Sequence, residues 1–169
     1  MRNIRTLFCS LIRPNLEFCT IVFNSISAHQ AHRLEGVQFR FFKFIHRTLN
    51  NGTVYNLDYL DLCKMYRLPP LRQRRILNYC LFLYKSVHNH FSNTEFNPFA
   101  LHVPNRNTRQ SIKHILYVPR NRVDVTKRGF LSRISSTYNS IHGSCDVFGA
   151  PSLNSFRGQV LSAISSSSN

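Results

Sequence analysis

Acid is the scarcest resource of this chain: 7 Asp+Glu stand against 22 Lys+Arg in 169 residues, a formal net charge of +15. No two acids are adjacent, so the sequence offers no adjacent aspartate pair of the kind that can clamp two Mg²⁺ ions for nucleotidyl transfer. Asp58 and Asp61, the closest pair of aspartates, read as surface or capping residues. The five cysteines (Cys9, Cys19, Cys63, Cys80, Cys145) contain no Cys-x-x-Cys and no zinc-knuckle spacing. Their odd number argues for reduced thiols in a cytosolic or nuclear setting and against secretion, each thiol serving as a small buried hydrophobe. No apolar run is long enough to span a bilayer, so no membrane is expected as a partner. There is no glycine-rich phosphate loop and no serine, histidine and acid set. His29 and His32 lie one helical turn apart without an obvious third ligand, and read as solvent-exposed side chains. His88-Asn89-His90 spells the letters of a nuclease motif, but at the end of an amphipathic helix. No metal and no cofactor is expected.

What is present is cation, unevenly placed. Residues 1–105 carry 13 Lys+Arg and 5 acids, residues 106–133 carry 8 and 1, and residues 134–169 carry one of each. Such an excess points to a polyanion or an acidic protein surface as partner, or to a solvated basic face. Hydrophobic residues make up 43% of the chain, enough for a core.

Periodicity predicts a mainly α protein. Residues 3–13 suit a helix with Ile4, Leu7, Phe8, Leu11 and Ile12 on one side. Pro14 marks a break or a new first turn, and a short helix from Asn15 to about Phe23 follows. Ser27 suits the N-cap of a helix over 28–47, with Leu34, Val37, Phe41, Phe44 and Ile45 as core face. Arg33, Arg40 and Arg47 recur every seven residues on that helix with Lys43 beside them, a basic stripe. Phe39, Phe41, Phe42 and Phe44 are too many for one buried face, and exposed rings would favour a protein-interaction module. Asn50-Asn51-Gly52 ends the helix.

A short helix over 57–67 places Leu57, Leu60, Cys63 and Tyr66 inward. Pro69-Pro70 opens a helix over about 71–90, with Ile76, Cys80, Leu83 and Val87 inside and Leu77 and Tyr84 beside them. Arg72, Arg74 and Arg75 crowd its first turn, where cations oppose the helix dipole at about 0.3–1 kcal/mol each. Either an anionic partner compensates, or an acid elsewhere, such as Asp58 or Asp61, closes on them. Residues 91–129 look irregular, with a short strand at Ile115–Val118. Helical spacing returns over 130–142 (Phe130, Ile134, Tyr138, Ile141) and 152–164 (Leu153, Phe156, Val160, Ile164), and Ser165–Asn169 should fray. The expected organisation is a helical bundle over 1–91, a basic irregular connection over 92–129, and a C-terminal helical segment over 130–169.

Several segments together resemble the region after the polymerase core of non-LTR, jockey-like LINE retrotransposon reverse transcriptases. They are Leu11-Ile12-Arg13-Pro14-Asn15-Leu16-Glu17-Phe18-Cys19, Leu34-Glu35-Gly36-Val37-Gln38-Phe39-Arg40-Phe41-Phe42, Leu68-Pro69-Pro70-Leu71 with Arg74-Arg75, and Phe82-Leu83-Tyr84-Lys85. The basic stretch from Arg106 to Arg122, Tyr138-Asn139 and Ser155-Phe156-Arg157 fall in the same order. The resemblance lies in order and spacing, since no single motif is specific. Phe23 stands where tryptophan is usual, and Arg72 where glutamate is usual.

The resemblance implies a helical thumb-like bundle, without the catalytic palm, that grips nucleic acid through its backbone. Such contact needs cations and small donors rather than base readers. It implies no catalysis by this chain alone. The partners implied are RNA, DNA or a hybrid, and a palm domain in a parent polymerase. The implied binding residues are Arg33, Arg40, Lys43 and Arg47, then Arg72, Arg74 and Arg75, then Arg106, Arg109, Lys113, Arg120 and Arg122. It leaves open a small basic protein-interaction module, or a remnant of a 5′-truncated element.

Overall fold

The computed structural model describes residues 2–23, 26–49, 57–91, 98–103, 115–119 and 129–166. The chain is mainly helical. In order come α1 (Arg2–Leu7), a π-helical turn (Phe8–Ile12), α2 (Arg13–Glu17), α3 (Thr20–Phe23), α4 (Ala28–Leu49), α5 (Tyr59–Met65), α6 (Leu71–Val87), α7 (Phe130–Ile141) and α8 (Leu153–Ser166). Two compact units divide it: Met1–Thr20 with Ile26–Arg75, and Ile21–Ser25 with Ile76–Asn169. That division follows packing and falls inside α6. The three expected segments, 1–91, 92–129 and 130–169, rest on helical spacing along the chain, whereas this division rests on packing.

In the first unit, the N-terminal stretch departs from the expected helix over 3–13. A proline ring would clash with the carbonyl four residues before it and donates no hydrogen bond. Just ahead of Pro14 the helix widens into a π turn, closed by the Arg13 N–H on the Phe8 carbonyl. Pro14 then sits in the first turn of α2, where its missing donor costs little. The expected apolar side does not form: Phe8 is buried, but Leu11 is 63% exposed and Leu7 and Ile12 are exposed too. Nor does one helix run from Asn15 to Phe23, because the chain turns at Phe18-Cys19, with Cys19 at φ 46°.

α4 starts where expected. Ser27 Oγ accepts the Gln30 N–H at 3.3 Å and Gln30 Oε1 accepts the Ser27 N–H at 2.8 Å, a reciprocal capping box. Its buried face is rotated from the expected one: Gln38, Phe42 and Ile45 are buried, while Val37 and Phe44 are exposed. The reason is the partners. Phe42 stacks on Tyr66 at 5.4 Å and Phe41 on Phe8 at 4.0 Å, and both meet a core with Leu62, Cys63 and Leu68. In α5, Leu62 replaces Leu60 as the inward residue, and Leu60 is 49% exposed. α5 closes through Arg67 at φ 51°, with the Leu68 N–H on the Cys63 carbonyl, a left-handed helix end that glycine usually supplies. The Asn50-Asn51-Gly52 turn lies outside the described residues.

In the second unit, the α6 residues Leu77, Cys80, Leu83 and Tyr84 join Ile134 and Tyr138 of α7 and Phe156, Val160 and Ile164 of α8 in one buried cluster. The expected inner faces of these helices hold, with Ile76 and Val87 at the edge. α6 ends at Val87 rather than near residue 90, through Asn89 at φ 51° and the His90 N–H on the Lys85 carbonyl. Of the expected strand over 115–118, one antiparallel bridge forms, Leu101 to Leu116. Asn139 holds it in place: its Oδ1 accepts the N–H groups of Ile115 and Leu116 at 3.2 and 3.0 Å, and its Nδ2 donates to the Leu116 carbonyl at 2.8 Å. α8 runs on through Ser165 and Ser166, and residues 167–169 lie outside the described set.

Candidate nucleic-acid interface

Arg33, Arg40 and Arg47 are all exposed on α4, and Lys43 is exposed beside them. Seven residues are two turns, so the three guanidinium groups repeat every ~10 Å along one side. Val37 and Phe44 lie between them, at helical spacing and also exposed. Lys43 Nζ sits over the Phe39 ring, 4.3 Å from its centroid. Among the described residues no acid pairs with any of these four cations.

Two clefts flank the stripe and share Arg40. One, of about 510 Å³, is lined by residues from Ile26 to Arg40, Arg33 among them. The other, of about 400 Å³, lies beside the C-terminal half of α4 and includes Lys43, Phe44 and Arg47.

The inward side of α4 carries the opposite charge. Glu35 accepts the backbone N–H groups of Leu71 and Arg72 at 3.1 and 2.6 Å, the first free donors of α6. It also accepts the Tyr59 hydroxyl and Arg75 Nη2, the latter at 3.3 Å. Glu17 takes the Arg74 guanidinium through two bonds, to Nε and, at 2.6 Å, to Nη2, and accepts Arg13 Nε at 3.1 Å. Two of the three cations at the start of α6, Arg74 and Arg75, therefore meet internal carboxylates. Those carboxylates are Glu35 and Glu17, not Asp58 or Asp61: Asp58 caps α5 by accepting the Leu60 N–H, and Asp61 forms an exposed pair with Lys64 at 4.0 Å. Glu35 also supplies negative charge at the start of a helix whose own first turn holds no acid. Gln38 completes the junction by donating to the Pro69 carbonyl at 3.2 Å.

Of the cations expected to bind, Arg33, Arg40, Lys43 and Arg47 form one exposed face. Arg72 is exposed, Arg74 is half-buried and Arg75 is buried, the last two engaged as described. Arg106, Arg109, Lys113, Arg120 and Arg122 lie outside the described residues. His29 and His32 are exposed, and no group of three or more metal-ligating side chains occurs among the described residues. The ring of His88 packs on Tyr84, and its Nε2 donates to the Val147 carbonyl at 2.9 Å.

Burial governs the acid–base chemistry. It pushes the thiols of Cys63 and Cys145 up to about 11 and that of Cys80 up as well. Burial, then the Glu35 carboxylate, pushes the Tyr59 hydroxyl up. Burial also raises Glu17, against the lowering effect of Arg13. The three buried thiols and the Tyr59 hydroxyl are thus held in their protonated forms at neutral pH. Sequence reasoning missed the roles of Glu17 and Glu35. The signal was available, since they are the sole acids in the first 57 residues.

No protein-family model matches the chain, and no curated protein or solved structure matches it.

Proposed function

We propose that this chain is a non-catalytic helical module, related to the region after the palm of non-LTR reverse transcriptases, that binds nucleic-acid backbone without sequence preference. The observation that carries the binding is the exposed row of Arg33, Arg40, Lys43 and Arg47, with no acid paired to it among the described residues. Cations spaced along a helix suit phosphate contact, and a rigid α4 anchored through Glu35, Gln38 and Phe42 holds them in line. Supporting the relationship, the Arg13–Glu17, Leu34–Gln38 and Leu68–Arg75 segments that carry the resemblance meet around the start of α6. Arg74 and Arg75 take a structural part in this reading.

The test is the salt dependence of binding to a duplex of mixed sequence. Each phosphate neutralised contributes about 0.9 to the slope of log K against log salt. The triple variant Arg33→Glu/Arg40→Glu/Arg47→Glu should therefore flatten the slope by about 2 to 3 while leaving the thermal melt in place. An unchanged slope refutes the assignment.

A second reading, a protein-interaction module, is favoured by the exposed rings of Phe18 and Phe44. Of the four phenylalanines on α4, however, Phe42 is buried and Phe39 and Phe41 are half-buried against Tyr59 and Phe8. Sedimentation velocity over a hundredfold concentration range tests it, a concentration-dependent shift supporting association.

A further inference from the structure

Phe44 has the wrong surroundings for a core residue and the right ones for a ligand. It is 62% exposed, and no ring packs on it among the described residues. Arg40, one turn before it, and Arg47, one turn after it, share its side of the helix, and Lys43 adjoins it. All four line the cleft of about 400 Å³, in which Leu57 and Leu62 supply apolar wall and no acid takes part among the described residues. The volume lies within the range of small-molecule sites.

A duplex backbone calls for the cations alone, since its bases are paired and stacked out of reach. An aromatic ring set among cations matches a different shape: a flat π face joined to a phosphate. Single-stranded nucleic acid offers that unit at every nucleotide. Charge argues for the same occupant, because an apolar peptide would leave three cations unanswered.

We infer that this cleft takes an unpaired nucleotide of a single strand, with the base stacked on Phe44 and the phosphates held by Arg40, Lys43 and Arg47. The inference rests on the backbone-binding reading and extends it from phosphate contact to a preference for single strands. It adds no base reading, since every base presents a π face.

Fluorescence anisotropy at low salt tests it with three labelled probes: a 12-residue oligothymidylate, an abasic strand of the same length, and a 12-base-pair duplex. Phe44→Ala should weaken oligothymidylate binding about 5- to 10-fold. Its binding to the abasic strand and to the duplex should stay within twofold of the unsubstituted chain. Phe44→Tyr keeps a ring and should restore oligothymidylate binding. Equal losses on the thymidylate and abasic strands, or no loss on either, overturn the stacking site while leaving backbone binding intact. Displacement by oligoglutamate as effective as by unlabelled oligothymidylate overturns it in favour of an acidic protein partner. If the unsubstituted chain binds none of the three probes, the backbone reading falls with it.

Discussion

Replacing Glu35 by alanine tests the central junction of the first unit. Its carboxylate serves four donors: two backbone N–H groups of α6, the Tyr59 hydroxyl and Arg75. The side chains of Glu35 and Arg75 are only 16% and 10% exposed, so solvent cannot take over. Losing a helix cap alone costs about 1 kcal/mol. Leaving a buried partner charge uncompensated costs about 3–5 kcal/mol. The two effects overlap, because one carboxylate supplies both, so the expected loss is about 3–4 kcal/mol. That is a large part of the roughly 5–15 kcal/mol that holds a domain together. Urea unfolding followed by far-UV circular dichroism measures it. A double-mutant cycle with Arg75→Met isolates the pair. The double variant should lose less than the two single variants combined, by about 1–3 kcal/mol. A loss below about 1 kcal/mol for Glu35→Ala, or a coupling near zero, refutes the claim that this carboxylate organises the start of α6.

In the second unit, Asn139→Ala removes three hydrogen bonds and strands the buried Leu116 N–H and the half-buried Ile115 N–H, and should cost about 2–3 kcal/mol by the same assay. Asn139→Asp keeps the acceptor but loses the donor to the Leu116 carbonyl, and should also destabilise. Among the thiols, Cys19 is exposed and Cys9 half-buried while the other three are buried, so a thiol reagent at pH 8 should label Cys19 first in the native chain and all five only after denaturation. Stability should fall as pH rises from about 9 to 11, because the native state keeps Cys63 and Cys145 protonated up to about 11 where an unfolded chain has already released those protons from the ordinary value of 9.0. Thermal melts across that range check it, and a flat profile refutes it. Arg67→Gly relieves the φ of 51° and should stabilise by about 0.5–1 kcal/mol, with a higher urea midpoint as readout.

Sequence by itself determined the helices whose apolar spacing is regular over three turns or more. α4, α6, α7 and α8 lie close to where periodicity put them, and Ser27 caps α4 as its position before the helix demands. The seven-residue recurrence of Arg33, Arg40 and Arg47 likewise fixed that they share one side of α4, since helical geometry is local. What surrounds that side was decided elsewhere. Whether Phe42 or Phe44 turns inward depends on where Tyr66 and Leu62 stand, and those contacts link residues some twenty apart in the chain. The partners of Arg74 and Arg75 were equally out of reach of local reasoning. Glu17 and Glu35 lie 57 and 40 residues before them, and only the folded chain brings these few carboxylates to the cations that need them. Periodicity reports which residues share a face. Tertiary structure alone decides which face is buried, and which charges are left for a ligand, because burial and pairing belong to contacts between segments.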